Sequence, residues 1–337
     1  MRVEEIRPDA DVERYIGLHA TDVERLLARS DSFVEVSCPA CDGHHRRERF
    51  RKSGFRFVEC VACGTLYISP RPPTPLLTDF YNHARSFALY NSRIFPATEV
   101  SRRTSIFAPR AARVVELCRR YLSAAPELLV DVGAGFGTFC EEIQKLGYFA
   151  EVLAVEPSRD LAATCRRKGV VVVEQPIEVA DIRGATVVVS FELIEHLFCP
   201  RDFLLACAEA LVEDGLLILT TPNIRGFDLA ILGAASDNID GPEHLNYFHV
   251  DSLRHLVTRC GLEVVEVLTP GKLDAELVRK KTESGELDPA SLHPFVREIL
   301  VTRWPDLGES FQRFIAEHGL SSHMWIVARK PRNGAGD

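Results

Sequence analysis

No apolar run in this chain of 337 residues approaches the roughly 20 that a membrane-spanning helix requires. The longest candidate, "LLACAEALVEDGLLILTTP", is cut by Glu209, Glu213 and Asp214. The opening "MRVEEIRPDADVERYIG" has no apolar centre of the kind a secretion signal carries. These two absences lead to the expectation of a cytoplasmic protein that engages no membrane. Positive charge is scarce as well: 40 Lys and Arg stand against 48 Asp and Glu, a net charge of -8, which speaks against a whole surface fitted to nucleic acid. The length exceeds one average domain and falls short of three, so one large domain with a smaller appendage is expected.

Cysteine is not scarce. Ten in a chain of this size, without a secretion signal, read as reduced thiols, some of them on metal. Residues 38–64, "CPACDGHHRRERFRKSGFRFVECVACG", hold two C-x2-C pairs, Cys38/Cys41 and Cys60/Cys63, with 18 residues between them. Each pair suits a tight turn whose amides face sulfur, and the intervening stretch is long enough for a hairpin that brings four thiolates around one Zn2+ ion. Four sulfurs fill a tetrahedral shell, so the ion is expected to be structural. The other six cysteines sit mostly in apolar helical settings and read as small core residues. The basic and aromatic stretch between the knuckles reads as the solvated, packed surface of the ribbon. A phosphate or RNA grip is its alternative.

After a "PRPPTP" break at 70–75, residues 76–122 read as helical. Then "ELLVDVGAGFGTFCEEIQKLG" (127–147) gives an apolar strand, a glycine turn and an amphipathic helix. The dinucleotide pattern G-x-G-x-x-G fails here, because Thr138 or Cys140 falls on the sixth place, and no Walker A sequence occurs. What stands there is G-x-G-x-G after Asp131. Downstream, "EVLAVEPS", "VVVVE", "ATVVVSFELIEHL" and "LLILTTPN" continue as strands, with helices between them at "SRDLAATCRRKG" and "PRDFLLACAEALVEDG". Such βα repetition predicts an α/β fold: a parallel sheet with helices on both faces and a ligand cleft at the carboxyl ends of the strands.

The series "VDVGAGFG", "AVEPS", "VVVSFELIEHL" and "LVEDGLLILTTPN" resembles the class I S-adenosylmethionine-dependent methyltransferases, over about residues 126–268. The resemblance implies a Rossmann-like sheet of seven strands, completed by "LEVVEVLTP" and an antiparallel "SSHMWIVARKP". It also implies S-adenosylmethionine as cofactor. Gly133, Gly135 and Gly137 would lie under its methionine part, and Asp131 near the ammonium. Glu156, followed by Pro157, would hold the ribose hydroxyls. Gln175 to Ile177 would flank the adenine, and Ser190 to Glu192 would line the wall near the methyl group.

The loop after the fifth strand carries "DGPEHLNYFHV" (240–250). Methyl transfer from a sulfonium releases a neutral thioether, so the protein must align the acceptor and remove its proton, and histidine is the natural base near neutral pH. Glu243 is placed to orient His244, Tyr247 to donate to an acceptor oxygen, and His196 is the rival base. A four-cysteine ribbon with a Glu-His loop resembles the sugar C-methyltransferases that act on nucleotide-linked keto-deoxysugars, where the histidine matching His244 is the proposed base. Those enzymes carry a further C-terminal domain that the segment after the sixth strand is too short to form, so C-, O- and N-methyl acceptors all stay open. The expected partner is a small-molecule acceptor, a sugar or nucleotide-linked sugar, and the expected assembly a monomer or homodimer. The alternatives are a zinc-ribbon RNA methyltransferase and a non-catalytic cofactor-binding scaffold. The expected layout is an N-terminal extension (1–34), the zinc ribbon (35–70), a helical linker (71–125) and the methyltransferase domain (126–337), with substrate-side insertions at 222–250 and 271–320.

Overall fold

A computed structural model describes residues 9–332. Residues 1–8 of the expected extension and 333–337 at the other end lie outside the described residues. The order of elements begins with helix α1 (Asp9–Leu27), followed by strands β1 (Arg46–Lys52), β2 (Phe55–Cys60) and β3 (Leu66–Ile68). Helices α2 (Thr74–His83), α3 (Arg85–Leu89), α4 (Phe95–Arg102) and α5 (Ala108–Tyr121) come next, with π-helical turns at Tyr90–Ile94 and Arg103–Phe107 on either side of α4. Then follow β4 (Leu128–Val132), α6 (Thr138–Lys145), β5 (Glu151–Val155), α7 (Arg159–Arg167), β6 (Val171–Val173), β7 (Ala185–Phe191), α8 (Pro200–Ala210) and β8 (Leu211–Pro222). The chain closes with α9 (Phe227–Leu232), β9 (Asn246–Tyr247), α10 (Val250–Arg259), β10 (Glu263–Leu268), α11 (Asp274–Glu283), α12 (Pro294–Arg297), α13 (Trp304–Glu317) and β11 (His323–Arg329).

Seven strands form one sheet in the order β10-β11-β8-β7-β4-β5-β6. Strands β4 to β8 run parallel, and β11 enters antiparallel between β8 and β10. The expected seven-stranded α/β sheet is therefore present, with its antiparallel addition. The central strands are apolar on both sides because both faces are covered. Val130, Val188, Leu217 and Ile326 pack one core with α8 and α10, while Leu129, Val187, Ile218 and Val327 pack the other with α5 and α6. Helix α5, from the stretch read as a linker, thus belongs to the sheet's own packing.

One helix boundary differs from the expectation. α8 stops at Ala210, and "LVEDG" is extended rather than helical. The amide of Asp214 donates to the Lys330 carbonyl and Lys330 returns the bond to Gly215, so pairing with the end of β11 outcompetes another helical turn. Residues 271–320 form helices around a separate small core of Val278, Leu300 and Ile315.

The second sheet is antiparallel, in the order β1-β2-β3-β9. Its first three strands are the cysteine ribbon. Its fourth comes from the 240–250 loop nearly two hundred residues later, with Leu66 opposite Tyr247 and Tyr67 opposite Asn246. That pairing docks the ribbon against the carboxyl ends of the large sheet, where the cleft lies.

Candidate active site

In the ribbon, the sulfurs of Cys38 and Cys63 are 3.4 Å apart, those of Cys41 and Cys60 3.5 Å apart. All four lie within 4.8 Å of one another. These spacings are too long for disulfides and close to the roughly 3.8 Å edge of a tetrahedron with bonds of about 2.3 Å. The four thiols fit a closed structural ion, with no position left for substrate. The neighbouring arginines are largely spoken for: Arg47 and Arg49 pair with Glu59, Arg51 with Glu48, and Arg46 and Arg56 with Glu35.

At the ends of β4 and β5 the glycine turn is tied to the acid expected to hold ribose. The Gly135 amide donates to Glu156 Oε2 and the Ser158 amide to Oε1, each at 2.8 Å. Glu156 is buried, which raises its pKa while the two amides pull it back. Gly133 sits at φ +79° with Leu193 Cδ2 only 2.8 Å from where a Cβ would be, so both backbone conformation and space demand glycine there. Gly135, by contrast, faces open space. Ser190, at the end of β7, has a buried hydroxyl without a partner among the described residues. Open space at Gly135 and an orphaned hydroxyl on β7, the strand beside β4, are features a bound polar ligand completes, and the cofactor named by the resemblance fits them. Gln175 and Ile177 follow β6, Ile177 buried and Gln175 exposed, and Pro157 is exposed beside Glu156.

Asp131 is buried under the turn, where desolvation pushes its pKa up to about 7 against the opposing effects of the Cys140 thiol, 3.3 Å away, and Arg110. Sequence reasoning missed Arg110, which lies in the stretch read only as helical. Its guanidinium is half-buried, 4.4 Å from the centroid of the Phe191 ring, facing Glu192, Asp131 and Glu195. Among the described residues no ion pair or hydrogen bond occupies it, so it is a cation placed to receive a carboxylate. Helix α4 was expected, but its contacts with the cofactor side were not. Phe95 stacks on Phe136 of the glycine turn at 3.6 Å and 3°, and Arg103 joins Glu99 to Glu141 and Glu142 of α6.

The acceptor side gathers His196, from the turn after β7, and His244. Their rings meet edge to face with centroids 4.7 Å apart. His196 Nδ1 lies 2.7 Å from the Glu243 carbonyl and His244 Nδ1 2.9 Å from the Asn238 carbonyl. A carbonyl only accepts, so each Nδ1 carries the proton and each Nε2 keeps a free lone pair. Burial, then the neighbouring His244, drives the pKa of His196 down to about 3, which keeps it neutral. Glu195 is almost fully buried, and desolvation plus the charge of Glu192 hold its pKa well above the carboxylate range. Glu192 sits at φ +52°, accepts from Thr220 Oγ1, and faces His323 Nδ1 at 3.4 Å.

Two expected roles need correction. Glu243 does not orient His244: its carboxylate takes the Tyr15 hydroxyl at 2.5 Å and faces His19 Nδ1 at 3.4 Å. Only its backbone carbonyl serves the site, accepting from His196 and from Tyr81. Tyr247 does not reach an acceptor. It is 1% exposed, packs on Phe57, and its hydroxyl is used up on the backbone of Asp240. The partners of Glu243 and the ring that packs on Tyr247 are distant in sequence, so spacing gave no signal. The residue that binds the loop to the site is Asn246, fully buried, whose side-chain amide faces the carbonyls of Ile194, Glu195 and Leu197 while its oxygen accepts from Arg71.

Residues 106–267 match a family described as a methyltransferase domain. Among sequence relatives, the chain is 32% identical over 133 residues to a ubiquinone biosynthesis O-methyltransferase of Bradyrhizobium sp. (strain ORS 278), covering 35% of this chain and 52% of that protein. It is 29% identical over 131 residues to the protein of that name from Methylococcus capsulatus, covering 36% of this chain and 54% of that one. The chain thus spans about half the length of the relatives it matches. Among solved structures, an S-adenosylmethionine-dependent methyltransferase from Clostridium acetobutylicum aligns with a TM-score of 0.45 and 10% identity, over 73% of this chain and 97% of that one. Strand order and the glycine turn agree with the match to a methyltransferase domain, which spans just under half of the chain.

Proposed function

We propose that this protein transfers a methyl group from S-adenosylmethionine to an oxygen of a small-molecule acceptor. The observation that carries the reading is a glycine-and-acid cradle in the same domain as a pair of half-buried imidazoles whose Nδ1 atoms are held by backbone carbonyls. Glu156 takes the ribose hydroxyls, and Gly133, Gly135 and Gly137 pass beneath the methionine part. Gln175 and Ile177 border the adenine. The methionine carboxylate meets Arg110, and its ammonium meets Asp131 and the end of β7 around Ser190 and Glu192. When bound, the cofactor supplies an electrophilic methyl group on a positively charged sulfur. The chain's own residues hold that methyl in line with the acceptor and draw off the acceptor's proton, His244 being the group through which the proton is lost and His196 its partner.

The O-methyl transfer in the names of the sequence relatives supports oxygen as the methylated atom. The ribbon joined to a Glu-His loop supports a sugar or nucleotide-linked sugar as acceptor. RNA is disfavoured because the arginines of the ribbon are neutralised by Glu35, Glu48 and Glu59, leaving no continuous positive stripe to follow a phosphate backbone. The test is transfer of labelled methyl from the cofactor to a panel of hydroxylated sugars, nucleotide sugars, phenols and RNA. Label in a small molecule supports the reading, and label in RNA alone overturns it.

Arg110→Met is expected to weaken cofactor binding about 10- to 100-fold, the loss of one hydrogen-bonded charge contact of about 1.5–3 kcal/mol. Decarboxylated S-adenosylmethionine should bind the variant and the parent alike. Calorimetry with the two nucleosides checks this, and an equal loss for both would remove Arg110 from the carboxylate subsite.

A further inference from the structure

We infer that Glu195, His196 and His244 form a divalent-cation site in the acceptor cleft, and that the acceptor binds it through two adjacent oxygens. The inference rests on the methyl-transfer reading and names the acceptor class for that same site. One ligand atom from each of the three residues lies within 4.8 Å of the other two, and Glu195 Oε1 is 3.9 Å from His196 Nε2. Bonds near 2.1 Å put ligand atoms about 3.0–3.4 Å apart, so loading draws the three side chains together by about 1 Å.

The surroundings of each ligand point the same way. Metal-binding imidazoles usually donate their second nitrogen to a carbonyl or carboxylate, which fixes the ring and leaves the other nitrogen for the ion. Both imidazoles do so, His196 through the Glu243 carbonyl at 2.7 Å and His244 through the Asn238 carbonyl at 2.9 Å. The carboxyl is held in the same manner, Thr221 Oγ1 donating to Glu195 Oε2 at 2.9 Å. Its other oxygen, Oε1, is buried and has no hydrogen-bond partner among the described residues, in a side chain only 1% exposed. A buried carboxyl oxygen left unpaired is costly, and a cation at this point satisfies it.

Two imidazoles and one carboxylate are a ligand set used by first-row divalent metals, and three protein ligands leave positions open for substrate. Glu195 and His196 follow β7 by a few residues, on the turn that begins at Glu192, so on the methyl-transfer reading those open positions face the methyl group. A single hydroxyl occupies one of them. A second oxygen on the neighbouring carbon occupies another, which orients the acceptor and selects vicinal diols, catechols and enediols over isolated alcohols. The cation lowers the hydroxyl's pKa and the proton passes to solvent water. The resulting oxyanion attacks the methyl carbon, the carbon–oxygen bond forming as the carbon–sulfur bond breaks, and the thioether leaves neutral. His244 thereby acts on the proton through the ion.

The test is titration of the zinc-loaded protein with Mn2+, followed by electron paramagnetic resonance, in the parent, Glu195→Gln, His196→Asn and His244→Asn. One Mn2+ per chain is expected in the parent, with affinity at least tenfold weaker in each variant. Zinc content and calorimetric affinity for S-adenosylmethionine, measured on the same samples, report that the ribbon and cofactor cradle are intact. A parent that takes up no Mn2+, and in a parallel visible-spectrum titration no Co2+, overturns the inference, as does binding that the three substitutions leave unchanged. Failure of the methyl-transfer reading looks different: the cation binds and S-adenosylmethionine does not.

Discussion

Removing the ion from the four-cysteine site is expected to abolish turnover while leaving cofactor binding largely intact. The buried ribbon residues Phe55, Phe57, Leu66 and Ile68 share their core with α1, α2 and Tyr247, while the knuckles depend on the ion, whose binding free energy in small metal-held folds, about 10–16 kcal/mol, is in effect folding free energy. Once the knuckles open, β3 loses its shape and β9 loses its partner. The knuckle also holds the start of α10, where His249 Nε2 donates to the Cys63 carbonyl at 2.7 Å. With β9 free, Asn246 releases the carbonyls of the turn that carries Glu195 and His196. The glycine turn and Glu156 belong to β4 and β5 of the other sheet and do not depend on this chain of contacts. Cys60→Ser and chelated parent protein should therefore show fast amide exchange over residues 240–249, no methyl transfer, and nearly unchanged affinity for S-adenosylhomocysteine. Unchanged exchange in that segment would disconnect the ribbon from the site.

His244→Ala is expected to lower kcat by about 10²- to 10⁴-fold, the usual contribution of a side chain on which proton removal depends. The substitution deletes one of the two facing imidazoles and leaves the Asp131–Gly135–Glu156 region untouched, so the Kd for the cofactor should stay within about twofold. His244 is half-buried at the loop surface rather than in the core, and the fold should tolerate its loss. Single-turnover kinetics separate the chemical step from binding. A variant that turns over at the parent rate would reduce His244 to a packing residue over the cleft.

The parts of this site that were legible in the sequence are those built from neighbours along the chain. A strand, a glycine turn and a helix occupy residues 128–145 consecutively, and the C-x2-C pairs declare themselves by spacing. The parts that were not legible depend on contacts across the fold. Nothing near Glu243 in sequence says that Tyr15 and His19 take its carboxylate, nor does anything near Tyr247 say that it sits under Phe57 as an edge strand of the ribbon. Both residues have the right chemistry for catalysis and both are spent on holding the loop. Arg110 was hidden for the opposite reason, since an arginine on an amphipathic helix normally marks the solvent face. Here the first turn of α5 lies against the cleft and brings Arg110 inward, while Arg119 and Arg120 at the other end stay exposed. Glu195 was passed over because only the fold buries its carboxyl, with Oε2 held by Thr221 of β8 and Oε1 left without a hydrogen-bond partner among the described residues.

On the methyl-transfer reading, the turn at Gly133–Gly137 and the carboxylate of Glu156 seat S-adenosylmethionine. Calorimetry of the purified protein with S-adenosylmethionine, S-adenosylhomocysteine, NADH and ATP tests it most directly. One site per chain is expected for the first two ligands, with affinity at least tenfold lower in Glu156→Ala, and no measurable heat for NADH or ATP. Binding of NADH or ATP with no response to either sulfur-bearing nucleoside would contradict the account.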